Sequence, residues 1–213
     1  MSQFNEDVTV RDFVRDLVTS VDVQYIAGRE LPRSESSVLL EAQIREALIR
    51  LNPAIAADPA KADEVIYQLR AIIISARYTP NPVVANEEFM AWLTGQKSMP
   101  FGPNGEHVTV RLIDFSNPED ASTNHWIVST EVTFKIGRVE RRFDNVLWCN
   151  GFPLVVGEAK SATRPAYTWI DAAAQIHEDY EKSASQFFVP NVFSFATEGK
   201  DFRYGTVGMP IEK

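Results

Sequence analysis

Asp144-Asn145-Val146-Leu147-Trp148-Cys149-Asn150-Gly151-Phe152-Pro153-Leu154-Val155-Val156-Gly157-Glu158-Ala159-Lys160 is the stretch on which the reading of this chain turns. An acid opens an apolar run, Asn150-Gly151 marks a tight turn, and a second apolar run ends in Glu158-Ala159-Lys160. Asn-Gly between two hydrophobic runs is a strong hairpin signal. Side chains alternate along a strand, so Glu158 and Lys160 point one way and Ala159 the other. A strict two-residue turn pairs Cys149 with Phe152, which sets Asp144 opposite Gly157 and off the face of Glu158. A single bulge, or a loop of odd length, brings Asp144 and Glu158 onto one face. Pro153 follows the turn directly and cannot donate to a ladder, which favours the irregular version.

Leu154-Val155-Val156-Gly157 is apolar on both faces, as in a buried central strand. Acids at the end of such a strand need a metal or a cationic partner. Two carboxylates and an ammonium at one spot can hold a divalent metal and activate water against a phosphodiester. The competing reading is a solvated acid-turn-acid hairpin in which Glu158 and Lys160 form a surface ion pair. Apolar strands on both sides of the turn favour the chemical reading.

The stretch resembles the PD-(D/E)xK nuclease core, in the version found at the amino end of the restriction (R) subunit of type I restriction–modification enzymes. Val110 to Glu119 is similar to that family's approach to the nuclease sheet, Asn145 to Leu154 to its hairpin, and Asp201-Phe202-Arg203-Tyr204-Gly205 to the strand after the core. The likeness runs from about Tyr25 to the carboxyl end and is densest from Arg111 to Lys160.

Position by position, the resemblance implies Asp144 and Glu158 as ligands of Mg²⁺, joined by the backbone carbonyl of Ala159. It implies Lys160 as the group that orients the attacking water or stabilises charge on the phosphate. Phe143 stands where the motif's name has proline. Such nucleases often carry a Gln and a Tyr one helical turn apart downstream. Here Gln175 and Tyr180 are five apart, which on an α-helix swings Tyr180 to another face. Gln175 is therefore the candidate and Tyr180 is not. Related nucleases also use a glutamate from an early helix; Glu35 and Glu41 are available, although each reads first as an exposed helix acid.

The implied activity is that of a type I site-specific deoxyribonuclease: a Mg²⁺-dependent endonuclease module acting on double-stranded DNA within an ATP-driven complex. Its implied partners are the helicase motor of the R subunit and the modification and specificity subunits. The alternative is a catalytically silent nuclease fold that docks the motor to those subunits. No Gly-x-x-x-x-Gly-Lys-Ser/Thr loop occurs, so ATP is expected only at a motor outside this chain. The last residues, Ile211-Glu212-Lys213, follow a strand-like segment directly, as expected of a module belonging to a longer subunit.

Composition sets the remaining bounds. With 213 residues, 45% of them hydrophobic, the chain can bury one sizeable core. It has neither a long apolar run nor an amino-terminal signal pattern, which predicts a soluble, cytoplasmic protein without membrane contact. A single cysteine, Cys149, excludes an internal disulfide, and His107, His125 and His177 lack zinc-ligand spacing. The net charge of −8 argues against tight autonomous DNA binding. Lys135, Arg138, Arg141, Arg142 and Arg164 nevertheless cluster in sequence around the acids, either as phosphate contacts or as solvated hairpin charges.

The first half reads as helical and the second as strands, in one domain spanning 1–213: a helical part over about 1–100 and a sheet core over about 106–213. Thr9-Val10-Arg11-Asp12 suggests a capping box, and Val21 to Ile26 a short strand. Helices are expected over Ser34–Leu51, from Asp58-Pro59 to about Ala76, and over Asn86–Leu93. Strands are expected over Val108–Phe115, Trp126–Ile136, Arg142–Cys149, Leu154–Lys160, Val189–Ala196 and Phe202–Val207, with a helix over Tyr167–Ser183. The fold class is α/β: a mixed central sheet flanked by helices, restriction-endonuclease-like, with an N-terminal helical region.

Overall fold

A computed structural model of the chain describes residues 6–78, 82–116, 123–161 and 168–211. Arg164 and the polar loop residues 117–122 lie outside these. The helices are α1 Glu6–Thr19, α2 Glu41–Leu51, α3 Pro53–Ala56, α4 Lys61–Ser75, α5 Val83–Leu93 and α6 Trp169–Ala174. The strands are β1 Gln24–Tyr25, β2 Ser98–Met99, β3 Val108–Thr109, β4 Trp126–Ile136, β5 Val139–Cys149, β6 Phe152–Ala159, β7 Phe193–Thr197 and β8 Phe202–Gly205. Six strands form one mixed sheet in the order β1-β4-β5-β6-β7-β8. β4, β5 and β6 are an antiparallel meander, β7 runs parallel to β6, and β1 runs parallel to β4. The crossover between β6 and β7 contains α6, which packs on both strands. The result is an α/β fold with helices flanking a mixed sheet, the restriction-endonuclease-like arrangement expected.

Burial alternates along the distal parts of β4 and β5 and is complete along β6, which matches its unbroken apolar run. Trp148, Phe134 and Phe143 all turn toward Phe187, with Phe143 and Phe187 ring centroids 4.4 Å apart. Each of these fully buried rings contributes on the order of 2–3 kcal/mol. Leu147, next to Trp148, points to the other face, where it lines a cavity with Phe13 and Val14 of α1. α1 thus covers one face of β4–β6 while the aromatic core fills the other.

Three expected elements are corrected. Val108–Phe115 is not a strand of the main sheet: only Val108–Thr109 is extended, paired with Ser98–Met99 in a separate two-stranded ribbon. The backbone beyond it is satisfied by side-chain amides instead. Asn52 bonds both the N–H and the carbonyl of Arg111, Asn150 the carbonyl of Leu112, and Asn124 both groups of Asp114. Ser34 to Leu40 is not helical, because its backbone ties into neighbours. Lys135 N–H donates to the Glu35 carbonyl (2.9 Å) and Leu40 N–H to the Gly151 carbonyl (3.0 Å). Thr9 lies inside α1, which already starts at Glu6. A capping box does occur at Thr168, whose hydroxyl accepts from Ile170 N–H while Asp171 accepts from Thr168 N–H; it starts α6 at Trp169.

Candidate active site

The register of β5 on β6 decides where the two acids lie. Cys149 pairs with Phe152 and Trp148 with Pro153, then Leu147 with Val155, Val146 with Val156 and Asn145 with Gly157. The turn is therefore a two-residue one, with both Asn150 and Gly151 at positive φ (49° and 90°), the conformation of a type I′ hairpin. The irregularity is a bulge between Leu147 and Trp148 that leaves Leu154 as the extra residue. It shifts the parity, and Asp144 stands across from Glu158 as the chemistry requires.

A second slip in alternation coincides with Asp144. Phe143 packs into the aromatic core, yet Asn145, two residues on, donates to the Arg11 carbonyl of α1 (3.2 Å) on the opposite face. Across the ladder, between the pairs Thr130↔Asn145 and Val132↔Phe143, Glu131 has φ 56°. A left-handed Glu within a strand is a strained conformation held by its surroundings. It has no sequence signature.

Beyond Asn145↔Gly157 the two strands part. The Ala159 N–H, with no ladder partner on β5, donates to the Asp144 carboxylate (Oδ2, 2.9 Å). The other edge of β6 stays paired with β7 through Glu158↔Ala196, Ala159↔Thr197 and a bond from Lys160 N–H to the Thr197 carbonyl (2.8 Å). The N–H and carbonyl of one strand residue point the same way, so the Ala159 carbonyl projects into the gap that holds Asp144.

Lys160 Nζ donates to Glu158 Oε1 (2.8 Å) and to Gln175 Oε1. Gln175 Nε2 in turn donates to the Tyr180 hydroxyl, which lies 3.3 Å from Glu158 Oε2 and 3.2 Å from the Arg142 carbonyl. The exclusion of Tyr180 is thereby corrected. Residues 175–180 form a π-helix continuing α6, and in i→i+5 geometry residues five apart share a face. Phe143 holds the Tyr180 ring edge-on at 5.1 Å between centroids.

Burial first, and the nearby Asp144 charge second, push the Glu158 carboxyl up to about 7, against Lys160 and Tyr180, which favour its ionised form. Burial raises the Asp144 carboxyl as well, opposed by the Ala159 N–H and by Lys160, Arg11 and Arg142. Two desolvated carboxylates competing for ionisation at one gap favour a cation beside them. Their oxygens and the Ala159 carbonyl are hard donors of the kind Mg²⁺ takes, alongside its retained waters. Among the described residues no third Asp, Glu, His or Cys completes an all-protein cage.

Residues 3–212 match the family described as the type I restriction enzyme R protein N terminus. The chain belongs to that family. No curated protein matches it.

Other candidates sort around this R-protein N-terminal site. Glu35 sits in a turn, and Glu41, which opens α2, forms a two-pronged pair with Arg70; among the described residues neither bonds to Asp144, Glu158 or Lys160. Lys135 pairs with Glu140 (3.0 Å) and Arg141 with Asp179 (2.7 Å), as solvated hairpin and helix charges do. Arg138 occupies the β4–β5 turn. Arg142 differs: its guanidinium lies 3.4 Å from Glu131 and its charge acts on Asp144. Sequence reading missed Arg11, which reaches Glu131 at 2.9 Å and also acts on Asp144, because nothing in α1 marks it as facing the sheet. Among the described residues no helix is long and apolar enough to cross a membrane.

Proposed function

We propose that this R-protein N-terminal region is a Mg²⁺-dependent endodeoxyribonuclease that hydrolyses double-stranded DNA as part of an ATP-driven restriction complex. Asp144, Glu158 and the Ala159 carbonyl would hold the ion. Mg²⁺, when bound, supplies Lewis-acid stabilisation of the scissile phosphodiester and activates water for attack. Lys160 positions that water or meets the charge developing on the phosphate, and Gln175 fixes its ammonium from the helix side. Tyr180 orients Glu158 through its second oxygen. Burial keeps bulk water from screening these groups. The supporting observation is the meeting of two desolvated carboxylates and a braced lysine where β5 and β6 part.

The motor, modification and specificity subunits are the partners in this proposal, and a net charge of −8 makes unaided DNA capture weak. The test is plasmid cleavage by the assembled complex carrying Asp144→Ala or Lys160→Ala. Both variants are expected to lose cleavage while keeping assembly and ATP hydrolysis. Mg²⁺ binding should weaken in Asp144→Ala and persist in Lys160→Ala, since an ammonium is not a ligand. Near wild-type cleavage by either variant contradicts the proposal. Loss of assembly in both would favour a docking role for these strands.

A further inference from the structure

A second polar cavity, sharing no residue with the Asp144–Glu158 gap, lies between the 32–39 segment, the start of α2 and the flank of α4, with a volume of about 450 Å³. Arg33 forms part of its wall. That guanidinium is largely withdrawn from water and bonds only backbone carbonyls: Ser34 and Ser37 through one terminal nitrogen, and Thr133 through the other. It lies over Trp148 and Phe187, 5.8 Å from each ring centroid. Its Nε–H has no partner, and no described carboxylate pairs with it. Burial pulls its pKa down to about 10, opposed by the charge of Glu35. A buried cation without a counter-charge is costly, and proteins ordinarily pair it.

The rest of the lining is suited to an anion. Arg70 presents a second guanidinium, and Ser34, Ser36 and Ser37 present hydroxyls. α2, eleven residues long, opens into the cavity at Glu41 and Ala42 with no capping side chain on its first amides. Two carboxylates oppose an anion: Glu41, which Arg70 neutralises through paired bonds, and Glu35, whose charge acts on Arg33.

We propose that this cavity is a binding site for a phosphate dianion, either free phosphate or a terminal phosphomonoester. Arg33 supplies the fixed charge from below, while Arg70, the serine hydroxyls and the α2 amides contact the oxygens. Arg70 exchanges part of its pairing with Glu41 for the ligand.

Calorimetric titration of inorganic phosphate into the metal-chelated full chain tests this. Because Arg33 also anchors backbone, the informative variants are at the partly exposed pair. Glu41→Gln is expected to tighten phosphate binding by roughly three- to tenfold and Arg70→Ala to weaken it by as much, the effect of one partly screened charge at contact distance. Asp144→Asn should leave phosphate affinity unchanged. A 5′-phosphorylated dinucleotide that binds more tightly than inorganic phosphate identifies the ligand as a terminal phosphomonoester; weaker binding identifies free phosphate. Absence of saturable binding overturns the proposal, as does equal affinity across Glu41→Gln and Arg70→Ala. A change in phosphate affinity in Asp144→Asn, which would move the anion to the other site, overturns it too.

Discussion

The two ends of the β5–β6 hairpin are built to opposite rules. At the turn end the side chain that anchors the hairpin is fully satisfied. Asn150, fully buried, accepts from His125 N–H (2.8 Å) and Arg50 (3.2 Å) and donates to the Leu112 carbonyl (3.0 Å) and to Asn124 (2.9 Å). At the open end, seven residues along β6 from the turn, Asp144 and Glu158 are buried close together and resist ionising together. The first end stabilises the fold, whereas the second costs stability when both carboxyls ionise. The same two strands carry both because the bulge at Leu147/Trp148 separates a regular segment from a shifted one.

Breaking the turn end should have the largest effect. Asn150→Ala strips four hydrogen bonds, strands buried partners and places alanine at positive φ. We expect a loss of about 3–4 kcal/mol in denaturant-monitored unfolding, with DNA cleavage falling only through loss of folded protein. A milder loss would mean that the anchoring is redundant.

The open end should respond to pH in the metal-free protein. Glu158 has an ordinary value of 4.5 and a folded value of about 7, so the folded state binds the proton more tightly. Its stabilising contribution is present in full below 4.5 and is lost as pH rises through 7, on the order of 3 kcal/mol in all. Glu158→Gln should abolish this component, which appears as the difference between the two pH–stability curves. At pH 8 that variant should be about 1–3 kcal/mol more stable than the parent and inactive in cleavage, a combination no purely structural residue gives. Superimposable pH curves would remove the contrast between the ends.

Tyr180→Phe sharpens the comparison with the smallest change. It removes one hydroxyl, keeps the ring on Phe143, and should cost about 1 kcal/mol of stability. Glu158 loses a donor that favours its ionised form, so its pKa should rise further, measurable by NMR titration of the carboxyl carbon, and cleavage should fall roughly tenfold. Unchanged titration of Glu158 would show that Tyr180 only fills space.

What the sequence disclosed and what it withheld follow one physical division. Strand positions set by alternation around local turns were legible: β4 runs from Trp126 to Ile136 as the pattern indicates, and the parity of Asp144 and Glu158 required the bulge that is present. Features set by distant partners were not legible. Val110 to Asp114 alternate like a strand, but the backbone of Arg111, Leu112 and Asp114 is claimed by Asn52, Asn150 and Asn124 from elsewhere in the chain. Ser34 to Leu51 reads as one helix, with Val38, Leu48 and Leu51 among its apolar positions, yet Leu40 N–H is taken by the hairpin turn. The π-helix that brings Tyr180 to Gln175 has no period of its own in so short a run, so α-helical spacing pointed the wrong way.

The most direct test of the central claim is an anomalous difference map from a crystal of the R-protein N-terminal region soaked with Mn²⁺ in place of Mg²⁺. A peak is expected between the Asp144 and Glu158 carboxylates, at oxygen-ligand distance from the Ala159 carbonyl, that disappears in Asp144→Ala and persists in Lys160→Ala. A map with no peak in that gap, or with Mn²⁺ bound elsewhere while Lys160 stays on Glu158, would contradict it.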